Sequence, residues 1–234
     1  MRRLVLTALV LLLPATSVHA AMLDLTTEGS NGTINNARFY QFDQLPTGSG
    51  IIDSFLRIQA FGVQQGYNTD GTVEFDTMSS FTHSIQLSVV PKPYIDGIYY
   101  REFLLDINQD GERILSLDDI KIYLESAPDI SGWPGNFSTP IYDFDAGEDN
   151  WILLDDFLNV GSGHGDMLAL IPDSLFTGPE TQYVYLYAKF GENSNADNGF
   201  EEFAYGTEGP LIPEPATVML LGLGALVLLR KRRP

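Results

Sequence analysis

An all-β fold, a single β-sandwich or jelly-roll-like domain, is what this sequence predicts, on three observations. Short segments alternate with a period of two: Ile120, Ile122 and Leu124 interleave with Lys121, Tyr123 and Glu125. Turn pairs such as Asn31-Gly32, Asp70-Gly71 and Asp110-Gly111 punctuate these segments. Between the two chain ends, no stretch carries the 3.6-residue apolar period of an amphipathic helix. Closely spaced strands without intervening helices favour stacked antiparallel sheets over βαβ units.

Taken in chain order, residues 1–20 read as a signal peptide, with a basic Met1-Arg2-Arg3 start and an apolar run from Leu4 to Leu13. Ten such residues span about 15 Å as a helix, half of a bilayer core of about 30 Å. Pro14 breaks the run, and Val18-His19-Ala20 places small residues for cleavage after Ala20. The implied partners are the Sec export machinery and signal peptidase. Residues 21–212 form the body, an acidic β-sandwich with strand candidates at Ile51 to Phe61, Ser84 to Val90, Ile120 to Glu125 and Tyr183 to Ala188. In the last of these, Tyr183, Tyr185 and Tyr187 share one face, and Val184, Leu186 and Ala188 the other. Gly206 to Ile212 is a linker, and residues 213–234 are a separate tail.

Charge narrows the function classes. Of the 13 basic residues, six lie in the two end segments, against one of the 31 acids, so residues 21–212 carry a net charge of −23. Such a field repels nucleic acid and anionic lipid and attracts cations; no nucleic-acid partner is expected. The chain has no cysteine. Disulfides and thiol chemistry are thereby excluded, and the core must carry the stability.

The tail has three parts. Pro213-Glu214-Pro215 blocks propagation of regular structure from the body. Ala216 to Leu229 is uncharged, and as a helix it spans about 21 Å. Arg230, Lys231, Arg232 and Arg233 then form a basic stop that the positive-inside rule keeps cytoplasmic. This places the body outside, in agreement with the signal peptide. The order of Pro-Glu-Pro, short apolar helix and basic end resembles the PEP-CTERM sorting signal of Gram-negative bacteria. The resemblance implies an exosortase-type membrane transpeptidase as partner, loss of the tail near Pro215, and an association with exopolysaccharide and biofilm. The body also resembles a group of PEP-CTERM exported proteins of unknown function. That likeness rests on Arg57-Ile58-Gln59, Gln65 to Thr69, Glu102 to Gln109, Leu115 to Asp118, Gly161-Ser162-Gly163, Gly165-Asp166-Met167 and Asn198 to Glu202. The group supplies no active site to carry over.

Candidate chemistry is sparse. Asp106, Asn108, Asp110 and Gly111 match the opening of a calcium loop, but Leu117 stands where the bidentate acid is needed. The stretch is either an irregular calcium loop or a hairpin turn with solvated acids. Asp143, Asp145, Glu148 and Asp149 around Gly147 pose the same choice. Gly161-Ser162-Gly163-His164-Gly165-Asp166 lacks the lysine of a phosphate loop and anything to fix a triad. Tyr94, Tyr99, Tyr100 and the Tyr183 to Tyr187 stripe suit either a sugar-binding face or cross-strand packing. The sequence thus predicts an exported, non-enzymatic cell-surface or extracellular-matrix protein. A calcium-dependent or glycan-binding module is the alternative; calcium is the one cofactor implied. An enzyme would need paired carboxylates in a cleft.

Overall fold

The structure, a computed structural model, describes residues 21–42, 54–159 and 165–205. The described residues form sixteen strands and three short 3-10 turns, with no α-helix. In chain order the strands are β1 (Ala21–Asp24), β2 (Asn31–Ile34), β3 (Ala37–Gln41), β4 (Ser54–Ile58), β5 (Phe61–Gly62), β6 (Gln64–Tyr67), β7 (Ile85–Gln86) and β8 (Tyr94–Ile95). They continue with β9 (Ile98–Asn108), β10 (Ile114–Glu125), β11 (Tyr142–Asp143), β12 (Asn150–Asp155), β13 (Met167–Pro172), β14 (Tyr183–Phe190), β15 (Ala196–Asp197) and β16 (Phe200–Ala204).

Two sheets result. The first runs β1-β12-β10-β14-β6, with β11 and β7 alongside; the second runs β2-β3-β13-β9-β16-β4, with β8 on β9. Pairing is antiparallel throughout both except for β1, which lies parallel to β12. One apolar cluster joins the two inner faces. Leu117, Ile120, Ile152, Val184 and Leu186 of the first sheet meet Phe39, Phe55, Phe103, Leu105, Met167 and Phe203 of the second. This is a sandwich, and the period-two alternation of β10 and β14 decides which side chains enter it.

Both outer faces are partly covered. Over the first sheet, Ile130, Trp133 and Phe137 pack on Tyr67, Tyr123, Tyr185 and Tyr187. The Trp133 ring stacks on Tyr187 at 4.0 Å between centroids. On the second sheet, Ile95, Tyr100, Leu104, Leu168 and Leu170 form a separate apolar layer.

Three sequence expectations need correction. Asn31-Gly32 is not a turn but part of β2; the chain reverses at Asn35-Asn36, which adopt φ of 47° and 68°. Asparagine tolerates the left-handed region that a tight hairpin demands. Ser84 to Val90 is a strand only at Ile85–Gln86 and then tightens into a 3-10 turn at Leu87–Val89. That turn points the carbonyls of Leu87 and Val90 at the buried Arg101 guanidinium, at 3.0 and 3.2 Å. Ile51 to Phe61 is not one strand: β4 pairs with β16 in the second sheet, whereas Phe61–Gly62 pairs with Ala196–Asp197. Its first three residues, the signal peptide and residues 160–164 lie outside the described residues, as do the linker and tail from 206 onward.

Leu105 is fully buried where β9 meets β13 and β16. Leu105→Ala is expected to destabilise the fold by about 2–5 kcal/mol, because the flanking strands cannot close the cavity. Urea unfolding followed by tryptophan fluorescence measures the change.

Candidate functional site

Residues 59–63, 109–113 and 191–199 cross between the sheets at one end of the sandwich, and β12 ends and β13 begins at this same end. Strands β4, β9, β12 and β14 all run toward this end, and β16 runs away from it, so Ala204 lies toward the opposite end.

Asp197 ties two of these loops together. Its carboxylate accepts the backbone amides of Asp110 (2.8 Å), Gly111 and Glu112 (2.6 Å), with Gly199 at 3.3 Å. Burial alone would raise this carboxyl; the amides outweigh it and hold it below the usual carboxylate range. Beside it opens a cleft of about 630 Å³, lined among others by Phe61, Asp110, Glu112, Arg113, Ser194 and Asp197. Phe61 is 76% exposed. Arg113 grips Asp155 through Nε at 2.6 and 2.7 Å and sits over the Phe157 ring at 5.5 Å.

The calcium-loop residues do not act together. Asp106 is fully buried within β9, opposite Glu202 of β16, while Asp110 lies exposed in the loop. Asn108 donates its backbone amide to Glu201 at 3.2 Å, and its buried Nδ2 meets no acceptor among the described residues. The physical reason is the strand itself: β9 continues to Asn108, so the extended chain spaces Asp106 and Asn108 along one face, where a calcium loop would curl its ligands around the ion. Glu201 points into the core, where Gln64 and Gln109 donate at 2.7 and 2.8 Å. Complete burial still pushes its carboxyl well above the usual range.

Asp143 and Asp145 are brought together, and Asp119 joins them from β10. Lys121 stands between, with Nζ 2.6 Å from Asp143 and 3.3 Å from Asp119. An ammonium thus occupies the position a metal ion would need. Asp145 accepts the Asn150 amide at 2.9 Å, and Asp149 stays exposed, with its carbonyl taking the Ala21 amide at 3.2 Å. Asp119 was invisible as a member, because a bulge between Leu117 and Asp119 sets its place on the sheet. Burial raises its carboxyl to about 6, with Lys121 opposing and Asp145 and Asp143 adding to the rise. Among the described residues, no three His, Cys, Asp or Glu side chains converge as a metal cage.

The tyrosine stripe is packing, not a sugar face. Tyr185 and Tyr187 are buried beneath Trp133 and Phe137. Tyr100 is buried too, whereas Tyr94 and Tyr99 form an exposed ring pair 4.6 Å apart.

Pro213, Glu214, Pro215, Arg230, Lys231, Arg232 and Arg233 lie outside the described residues. Among the described residues, no helix is long and apolar enough to cross a membrane. Residues 211–233 match the model of the PEP-CTERM protein-sorting motif. This match supports an exported protein that exosortase processes, and it reaches none of the body motifs. No curated protein and no solved structure matches the chain.

The raised carboxyl of Asp119 sets a pH dependence. Between about pH 4 and pH 6 the folded state holds a proton that the unfolded state has released. This contribution to stability is therefore full below pH 4 and is lost as pH rises through 6. Asp119→Asn is expected to flatten the slope of unfolding free energy in that window, read from urea unfolding at a series of pH values.

Proposed function

We propose that this chain is an exported, non-enzymatic cell-surface or matrix protein of a Gram-negative bacterium. Its tail serves as a temporary address read by exosortase. The observation that carries this is the sorting motif at residues 211–233. It joins an N-terminal segment of signal-peptide pattern, so both ends specify the same topology, with the body outside. The precursor is held in the membrane by Ala216 to Leu229 until cleavage near Pro215 releases the body, much as a lipid-anchor signal is lost. An exopolysaccharide-rich biofilm is the destination the sorting signal suggests. The −23 body suits it, since a highly charged surface stays soluble outside the cell.

One feature favours a second role, glycan binding, at the crossing-loop end. Phe61 offers an open ring in the same cleft as the exposed Asp110 and Glu112. Rings stack on sugar C–H faces, and carboxylates accept from sugar hydroxyls. Because β16 runs away from this end, Ala204 lies toward the opposite end of the sandwich from the cleft.

Deleting residues 213–234 and fractionating cells tests the sorting role. The truncated protein is expected in the periplasm, and unchanged surface retention would defeat the proposal. The glycan role predicts that neutral glucan or galactan oligosaccharides bind the protein and that Phe61→Ala weakens them about tenfold by calorimetry. Equal affinity in the two proteins would remove Phe61 from the site.

A further inference from the structure

Asp166 stands apart from the other acids. The charged groups that press on it most strongly are all acidic, and one of its oxygens meets no hydrogen-bond donor among the described residues.

The residue immediately precedes β13, which lies between β3 and β9. Its amide donates to the Leu105 carbonyl at 2.8 Å, and its carbonyl accepts the Phe42 amide at 2.9 Å. Its Oδ2 accepts the Ile107 amide at 2.8 Å. Asp166 thus holds both chain neighbours of Asp106 and lies directly beside it. With 4% of its surface exposed, it is almost out of water, and Oδ1 meets no hydrogen-bond donor among the described residues. Asp106, Asp156 and Glu201 are the charges that act on it most strongly. Burial and these neighbours push its carboxyl up to about 9, against the Ile107 amide.

The contrast with the Asp119, Asp143 and Asp145 group is instructive. There Lys121 supplies the counter-charge. Glu201, equally buried, is satisfied by two side-chain amides and a backbone amide. Asp166 has neither an ammonium nor a full set of donors. A carboxylate removed from water in this way needs a cation or a proton.

We infer that Asp166 and Asp106 form the protein part of a divalent-cation site of the calcium class. Two carboxylates do not make a closed cage, and calcium does not require one; its irregular shell takes amide oxygens and water as well. Hard oxygen donors and the absence of nearby histidine or cysteine among the described residues select calcium over a transition metal. The site differs from the loop that the calcium motif marks. It keeps Asp106, leaves out Asp110, and recruits an acid sixty positions along the chain. It stands independently of the sorting role, and its failure would leave that role untouched.

The test uses the full chain, stripped of metal by chelation, and calcium alone as the probe. Calcium is expected to raise the melting temperature by several degrees, as binding to the folded state alone requires. Asp166→Asn keeps the shape and removes the charge; it is expected to abolish the shift and weaken calcium binding at least about tenfold by calorimetry. Asp145→Asn, in the lysine-neutralised group, is expected to retain the full shift. No shift in the wild type would overturn the inference, and so would an undiminished shift in Asp166→Asn. If Asp166→Asn fails to fold, Asp106→Asn provides the same reading. A proton in place of the metal predicts that Asp166→Asn equals or exceeds the wild type in stability with and without calcium, which also overturns the site.

Discussion

A carboxylate that leaves water needs a donor or a counter-charge, and residues 21–212 hold 30 acids against 7 bases. This imbalance shapes most of the polar structure. Backbone amides take the place of the missing cations. Asp118 binds the amides of Glu192 and Asn193, Glu74 those of Gly132 and Trp133, and Asp197 those of Asp110, Gly111 and Glu112. Each bond is charge-assisted and therefore stronger than a neutral one. Each also fixes a loop, so the acids that make the protein soluble are the same groups that order its connections.

The few bases are placed where amides do not reach. Arg101 lies buried between Asp173 and the carbonyls of Leu87 and Val90. Arg57 bonds Glu202 at 2.7 Å and is sandwiched by the rings of Phe81 and Phe200 at 3.6 and 4.2 Å. Lys121 serves the group around Asp143. Removing any one of these leaves a buried or half-buried carboxylate without its partner, which costs more than the ion pair itself contributes. The apolar interface between the sheets must outweigh the remaining self-repulsion without help from disulfides.

Legibility varied along the chain for physical reasons. Strands β10 and β14 were plain in the sequence because one face meets the core and the opposite residues carry polar atoms, Lys121 and the tyrosine hydroxyls among them. Ser84 to Val90 misled, because its alternation was interrupted by a turn made for Arg101 on another strand. The tyrosine stripe was ambiguous because its cover, Trp133 and Phe137, comes from a distant loop. Asp106 was visible as a candidate ligand, but its neighbour Asp166 was not, since strand pairing across β9 and β13 joins them.

By itself, the sequence determined that the body is all-β and free of disulfides, and that the tail carries the sorting motif. These rest on local period, composition and contiguous residues, which need no partner to be read. The tertiary structure alone decided which acids are neutralised by amides, which by Lys121, and that Asp166 is left with a buried oxygen unmet among the described residues. It also decided that the crossing loops gather at one end and build the cleft at Phe61. Such properties depend on register between strands far apart in the chain, and a one-residue change in register would send every one of these side chains to the other face.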